Sequence, residues 1–161
     1  MPDVQVRDAT ADDAELLVRF VHALAAFERE PDAVRATAAD FRRDGFGTDP
    51  SFSALVAEVD GEPQGMALYF RNYSTWEARP GLYLEDLWVE PGARKLGVGR
   101  RLVAALAARA LERGYARLDL SVLDWNPARA FYARLGMEHL ESWCPYRLKG
   151  DALAALAREH A

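Results

Sequence analysis

Apolar residues recur along this chain with two different periods. Residues 16–24 and 102–111 carry leucine, valine and phenylalanine three or four positions apart, a spacing typical of amphipathic helices. Shorter segments, such as 4–7 and 117–123, alternate apolar with polar residues, which is typical of half-buried strands. The pattern therefore predicts helices and strands that share one core.

Capping and turn signals set the boundaries of these elements. Thr10 and Thr37 each stand three positions before an aspartate, the spacing of a capping box, and predict two helix starts. Asp60-Gly61 predicts a hairpin between two strands. The predicted strands are 4–7, 52–59, 64–73, 82–89, 117–123 and 143–148, with a loop at 74–81. The predicted helices run from Thr10 to about Phe27, from Thr37 to about Gly45, and over 99–112, 126–135 and 151–160.

The order of these elements predicts the fold class. A sheet built from hairpins is followed by a strand–helix–strand crossover, so the sheet should be mixed and mostly antiparallel. The prediction is one α/β (α+β) domain over residues 1–161, with its core in 4–148 and a terminal helix at 151–160. A length of 161 residues fits one such domain.

Composition narrows the possible partners. The formal net charge is -5, whereas nucleic-acid binding usually requires a broad basic face. An acidic surface weakly favours cationic partners such as amines. No apolar run approaches the roughly 20 residues of a membrane helix, and the charged start of the chain does not resemble a signal peptide. We therefore expect a cytoplasmic protein that binds neither nucleic acid nor membrane.

The metal-ligating residue types are sparse. Cys144 is the one cysteine, so no disulfide forms within the chain. The histidines, His22, His139 and His160, are far apart in sequence, and no zinc-ligand spacing occurs. The sequence predicts no metal site, and Cys144 is expected to be a buried, inert thiol.

The strongest local signal is Arg94-Lys-Leu-Gly97-Val-Gly99, which follows a predicted strand and opens a helix. A helix start offers unpaired N–H groups and a positive dipole end, and glycines let an anion approach the backbone. The segment therefore predicts a phosphate or pyrophosphate site, and the alternative is a tight turn with a solvated basic helix start. The glycine spacing matches neither the P-loop nor the dinucleotide fingerprint, which argues against ATP and NAD.

Two segments together resemble a known family. The Arg94–Gly99 segment is similar to the acetyl-CoA signature of the GNAT superfamily of N-acetyltransferases. Asn126-Pro-Ala-Arg-Ala-Phe-Tyr132, followed by Gly136-Met137, is similar to that family's second motif. The resemblance covers residues 4–148 and implies the GNAT fold and an acetyl-CoA-dependent acyltransferase.

Further segments resemble one subgroup, the diamine (spermidine/spermine-type, thialysine) acetyltransferases. They are Phe27-Glu28, Asp44-Gly-Phe-Gly47, Trp76, Leu82-Tyr-Leu-Glu-Asp86 and Asp124-Trp-Asn126. The resemblance implies a small primary amine as acceptor and direct transfer without an acetyl-enzyme. It also implies a homodimer, for which Trp143, Tyr146 and Leu148 are candidate interface residues.

Amine acetylation needs a proton acceptor, because an alkylamine with a pKa of about 10.4 is almost fully protonated at neutral pH. Glu85 and Asp86 are the candidates, and we predict Glu85 as the base and Asp86 as a substrate ligand. Strict alternation would place their side chains on opposite faces of the strand. The resemblance implies a β-bulge that re-aims one of them.

The remaining predicted site residues protonate the leaving group or contact acetyl-CoA or the amine. Tyr132 resembles the family's general acid, although its helical spacing alone, without the motif, favours a core tyrosine. The predicted acetyl-CoA contacts are Leu87, Trp88, Val89, Arg94, Lys95, Leu96, Gly97, Val98, Gly99, Arg100, Asn126, Arg129 and Tyr132. The predicted amine contacts are Phe27, Glu28, Glu85, Asp86 and Asp124, with Glu77 as a further candidate.

One departure from the subgroup bears on the substrate. The turn Ser142-Trp-Cys-Pro145 has only Glu141 nearby, whereas diamine acetyltransferases carry further acids there. This departure favours shorter amines or lysine-like amino acids over long polyamines. Two alternatives remain open: a peptide or protein N-acetyltransferase, and a non-catalytic acyl-CoA-binding sensor.

Overall fold

One mixed sheet organises the first part of the chain. In a computed structural model, which describes residues 1–160, five strands lie side by side in chain order. They are β1 (Val4–Asp8), β2 (Ser53–Val59), β3 (Glu62–Ser74), β4 (Arg79–Val89) and β5 (Leu118–Leu120). The first three pairings are antiparallel, and the pairing of β4 with β5 is parallel. The predicted mixed, mostly antiparallel sheet is therefore confirmed.

The helices begin and end near the predicted positions. They are α1 (Ala14–Phe27), α2 (Ala38–Phe46), α3 (Val98–Glu112), α4 (Ala128–Arg134) and α5 (Gly150–Ala157). The capping box before α2 is formed, since Asp40 N donates to Thr37 Oγ1 at 3.2 Å and Thr37 N donates to Asp40 Oδ2 at 2.8 Å. Reciprocal bonds of this kind satisfy N–H groups that a helix start leaves unpaired.

The two faces of the sheet are covered by different helices. On one face α1 and α2 bury a core that includes Phe20, Val56, Met66 and Trp88. On the other face α3 crosses the sheet close to Gly65, where an added Cβ would lie 3.2 Å from Val98 Cγ1. The absence of a side chain at this position permits the close approach of helix and strand.

Three predicted boundaries are wrong. Strands β3 and β4 extend to Ser74 and from Arg79, so the predicted loop 74–81 is only a tight turn. Strand β5 covers 118–120 rather than 117–123. Residues 143–148 form no strand, since no backbone pairing joins them to a strand of the described sheet.

Two compact units are distinguished by their internal contacts, residues 1–126 and the residues from 127 onward. The second unit contains α4, α5 and the segment between them. Within it, Gly136 adopts a φ of 88° just after α4, and Met137 N donates to Tyr132 O at 3.1 Å. The predicted single domain remains a prediction, and its last residue, 161, lies outside the described part of the chain.

No helix within residues 1–160 combines the length and the apolar character that crossing a bilayer requires.

Candidate active site

A β-bulge lies in the middle of β4. Leu84 pairs with Tyr69 and Asp86 pairs with Leu68, so Glu85 is an extra residue without a partner on β3. The bulge that the family resemblance implied is therefore present. Because one residue is inserted, the alternation of side chains between the two faces is shifted by one position after Glu85.

Beyond the bulge, β4 pairs with a strand on one side only within residues 1–160. The pairing with β5 covers residues 82–84 of β4 and ends there, whereas the pairing with β3 continues to Val89. Glu90 N donates to Gln64 O, and successive residues of a strand direct their N–H groups to opposite sides. The backbone N–H groups of Leu87 and Val89 therefore point into the gap between β4 and β5.

Three carboxylates interact next to the bulge, and we call Glu28, Glu85 and Asp86 the acidic cluster. Burial first, and the charges of Glu85 and Glu28 second, raise the pKa of Asp86 to about 6. Burial and then the charge of Glu85 also raise the pKa of Glu28. Glu85, the bulged residue, thus lies within electrostatic reach of both other acids.

An aromatic cluster, consisting of Phe27, Trp88 and Trp125, adjoins these acids. The centroid of the Phe27 ring lies 6.2 Å from that of Trp88 and 6.2 Å from that of Trp125. Trp88 is 7% exposed, and its Nε1 has no hydrogen-bond partner within residues 1–160. A buried N–H without an acceptor is unfavourable, so this edge of the cluster is suited to a polar ligand atom.

Two arginines contact the aromatic cluster. The Arg94 Cζ lies 5.2 Å from the Phe27 centroid and 5.0 Å from that of Trp88, and its Nε donates to Val89 O at 3.0 Å. The Arg29 Cζ lies 3.9 Å from the Trp125 centroid. All three Cζ-to-centroid distances are within the range of cation–π contacts. Arg94 thus joins the loop before α3 to the cluster, and whether it also binds acetyl-CoA stays a prediction.

The start of α3 has the features of an anion site. Lys95 and Gly97 adopt positive φ angles of 70° and 82° in the tight loop before the helix. Lys95, Leu96 and Arg100 are exposed, and no ion pair within residues 1–160 engages the side chain of Lys95 or Arg100. A cationic, exposed helix start of this kind fits the diphosphate of a coenzyme.

The other predicted residues lie in or beside the second motif. Asp124 and Asn126 end the first unit, and Asn126 is 7% exposed. Arg129 and Tyr132 lie on α4, where the Tyr132 and Phe131 rings are 5.2 Å apart. The roles predicted for these four residues stay predictions.

The model of the acetyltransferase (GNAT) family matches residues 17–137 of this chain. The chain belongs to the GNAT acetyltransferase family. Its assignment as an acetyltransferase that acts on amines, made from the two motifs, is thereby confirmed.

Similarity to named relatives indicates the subgroup of this GNAT acetyltransferase. It is 38% identical to the thialysine N-epsilon-acetyltransferase of Bos taurus, over 98% of this chain and 99% of the relative. It is 33% identical to the human spermidine/spermine N(1)-acetyltransferase-like protein 1, over 96% of this chain and 24% of that longer protein. The resemblance to the diamine and thialysine subgroup is confirmed.

A solved structure supports the fold. An integron cassette protein from the mobile metagenome of V. cholerae superposes with a TM-score of 0.80, covering 96% of this chain and 98% of its own, at 24% identity. A likeness at this level of identity concerns the fold alone, and it agrees with the predicted fold class.

Two residues of this region were not predicted from the sequence, and the burial predicted for Cys144, in the second unit, is wrong. Arg29 and Trp125 were not among the predicted site residues. The sequence does contain a signal for Arg29. It directly follows the aromatic-acidic pair Phe27-Glu28, at the end of a predicted helix, where glycine is the usual residue. Cys144, expected to be buried, is exposed.

A cavity of about 270 Å³ lies elsewhere in the first unit, and its lining includes Tyr69, Arg71, Arg113 and Tyr115. None of the predicted site residues lines it.

Proposed function

We propose that this enzyme transfers the acetyl group of acetyl-CoA to the primary amine of a small cationic substrate, a diamine or a thialysine-like amino acid. The observation that carries the proposal is the bulge at Glu85. It sets the acidic cluster at the point of β4 where the pairing with β5 ends. A cationic acceptor and an extended thioester can therefore meet at one position of the strand.

The acidic cluster supports a cationic acceptor. The charges of these three carboxylates repel one another, and burial together with that repulsion raises the pKa values of Glu28 and Asp86. An ammonium group among them relieves the repulsion. The same carboxylates supply a proton acceptor, because a group with a pKa near the working pH is an efficient general base. Binding and deprotonation of the amine thus use the same side chains.

Acetyl-CoA fits the gap and the helix start that border the cluster. The N–H groups of Leu87 and Val89 can pair with amide groups of the pantetheine arm, as an added strand would. The start of α3, with Lys95 and Arg100, suits the diphosphate. An N–H in the gap also suits the acetyl carbonyl, whose oxygen gains negative charge during the reaction.

Transfer is proposed to be direct, within a ternary complex. The first unit, which holds the acidic cluster, contains no cysteine, so a thiol intermediate has no residue to form on there. Tyr132 is proposed to protonate the departing thiolate, since a phenol with a pKa of about 10 can donate to a thiolate whose thiol has a pKa of about 8.5.

The choice between Glu85 and Asp86 as base is part of this proposal. We retain Glu85 as the direct acceptor, since it is the exposed member of the pair. Asp86, with its pKa of about 6, binds the ammonium group and competes for the same role. The pH profiles of variants described in the Discussion distinguish the two assignments.

The central test is acetyl-CoA-dependent release of CoA across a panel of putrescine, spermidine, thialysine, lysine and a peptide. We expect amine-dependent release with a small amine, a large loss of kcat in Tyr132→Phe and a fall in Glu85→Gln. Matched controls are Tyr73→Phe and Glu112→Gln, which alter exposed residues outside the proposed site and interface and should leave the rate unchanged. Activity on the peptide alone, or binding of acetyl-CoA without turnover of any amine, would contradict the small-amine assignment.

Two further details of this test depend on the exposed Cys144. A thiol reagent will react with it, so each assay needs a blank without amine. Mass spectrometry after incubation with acetyl-CoA alone should find no acetylated protein, and a stoichiometric acetyl adduct would contradict direct transfer.

We also propose a homodimer. Several large apolar side chains of the second unit are exposed, namely Leu140, Trp143, Tyr146, Leu148, Leu153 and Leu156. A cluster of this kind favours association. Sedimentation velocity should give a dimer that Tyr146→Asp weakens, and a monomer at every concentration would contradict the proposal.

A further inference from the structure

Arg29 stands at a position where its side chain is held in a defined direction. Glu30 N donates to Ala25 O at 2.9 Å and Arg29 N donates to Ala26 O at 3.2 Å, the bond pattern of a Schellman motif. The motif places Arg29 in the left-handed region, with a φ of 66°. Glycine is the usual residue there because a Cβ is unfavourable, so an arginine at this position is maintained at some cost in stability.

The guanidinium of Arg29 is directed onto the aromatic cluster. Its Cζ lies 3.9 Å from the centroid of Trp125, whose ring contacts Phe27. Stacking leaves the edge of the guanidinium plane, with its N–H groups, available for an acceptor. No carboxylate within residues 1–160 forms a hydrogen bond or an ion pair with Arg29.

The acidic cluster is a separate centre of opposite charge. Glu28 precedes Arg29 directly, yet the pKa of Glu28 and that of Asp86 are raised, whereas a guanidinium in contact would lower them. Phe27 directly precedes Glu28, and its ring lies 6.2 Å from that of Trp125, on which Arg29 stacks. The aromatic cluster therefore connects a negative centre to a positive one.

We propose that Arg29 binds the carboxylate of an amino-acid substrate whose side-chain amine lies at the acidic cluster. A ligand that carries a carboxylate at one end and an ammonium group at the other matches both centres at once. The aliphatic or thioether chain between its ends packs on Phe27 and Trp125, and a thioether sulfur gains from contact with aromatic rings. Plain diamines match the acidic cluster alone. Arg29 is thus a specificity residue for amino acids with an amine-terminated side chain, an inference that rests on the proposed amine acetylation.

The test compares three acceptors that differ only in the carboxylate: thialysine, its carboxamide, and the corresponding decarboxylated diamine. We expect the wild-type enzyme to prefer thialysine by about tenfold or more in kcat/KM, since a charge-assisted hydrogen bond contributes on that scale. In Arg29→Gln this preference should disappear, mainly through a higher KM for thialysine. The rates with the carboxamide and the diamine should stay within about twofold.

Two companion variants separate this role from a structural one. Arg29→Gly relieves the positive φ, so its melting temperature should not fall, yet it should lose the same preference as Arg29→Gln. Arg35→Gln removes an exposed arginine of the loop after α1 and should change nothing.

The outcomes are distinguishable. Equal turnover of all three acceptors by the wild-type enzyme, or equal losses on all three in Arg29→Gln, would overturn the role of Arg29 while amine acetylation stands. Lack of turnover with every amine would overturn both proposals.

Discussion

The two halves of β4 show how one strand serves both stability and function. Residues 79–84 pair with β3 on one side, and 82–84 also pair with β5 on the other, and Leu82 and Leu84 are 1% and 2% exposed. Residues 86–89 pair with β3 and, within the described residues, with no other strand. Together with the bulged Glu85 they carry the acidic pair and the backbone groups that face the gap. The bulge at Glu85 separates the halves. A strand paired on both sides has no free backbone group to offer a ligand, so the half that we propose to bind ligands is the half that lacks a neighbour on one side among the described residues.

The largest expected effect concerns the acids at the boundary between the halves. Glu85→Gln and Asp86→Asn should each lower kcat/KM for the preferred amine, and loss of the general base itself costs about 10²–10⁴-fold. In the wild-type enzyme, kcat/KM should fall as the pH drops through about 6, the pKa of Asp86.

The two variants should differ in their pH profiles, which decides between the acids. If Glu85 is the direct base, Asp86→Asn retains a pH-dependent residual activity, and Glu85→Gln loses the larger factor. If Asp86 is the base, Glu85→Gln shifts the acid limb to lower pH, because the charge of Glu85 helps to raise the pKa of Asp86. Full activity in both variants would contradict a role of the acidic cluster in catalysis.

The next effect concerns stability. Leu84→Ala should reduce the free energy of unfolding by about 2–5 kcal/mol, because it leaves a cavity in a close-packed core. Leu87→Ala, on the half-buried functional side, should cost about 1 kcal/mol or less. Urea unfolding of the two variants measures the contrast, and equal losses would show that the two halves do not differ in packing.

The last prediction is a gain in the free energy of unfolding rather than a loss. Because the folded state holds the proton of Asp86 more tightly than the unfolded state, with a pKa of about 6 against 3.8, stability is lost as the pH rises between these two values. Asp86→Asn removes that penalty and should stabilise the protein at pH 7 by up to about 3 kcal/mol, while activity falls. The gain should shrink by roughly half at pH 5. A variant less stable than the wild type at pH 7 would show that the charge of Asp86 is compensated in the fold.

Local signals predicted most of the first unit. The capping boxes and the Asp60-Gly61 turn depend on bonds between residues at most a few positions apart, so α1, α2 and the β2–β3 hairpin were predicted near their observed bounds. The segment at 143–148 shows the limit of such signals. Its apolar residues resemble a strand, but a strand also needs an edge to pair with, and no such edge accepts it.

The sequence supplied candidate residues for the site but not their arrangement. Glu85 and Asp86 could be named from the family resemblance, and the bulge was implied in the same way. The sequence could not supply the interaction of both acids with Glu28, nor the contact of Arg29 with Trp125, which lies 96 positions later. Contacts over such separations depend on how the elements pack.

The sequence by itself thus determined the family, the order of the elements and the loop that opens α3, because each depends on local spacing and residue type. The tertiary structure alone decided where the pairing of β4 with β5 ends, which acids interact, and that Arg29 stacks on an aromatic ring beside them. These properties arise from the register of neighbouring strands and from burial, since a carboxylate changes its pKa only when packing removes water and brings another charge near.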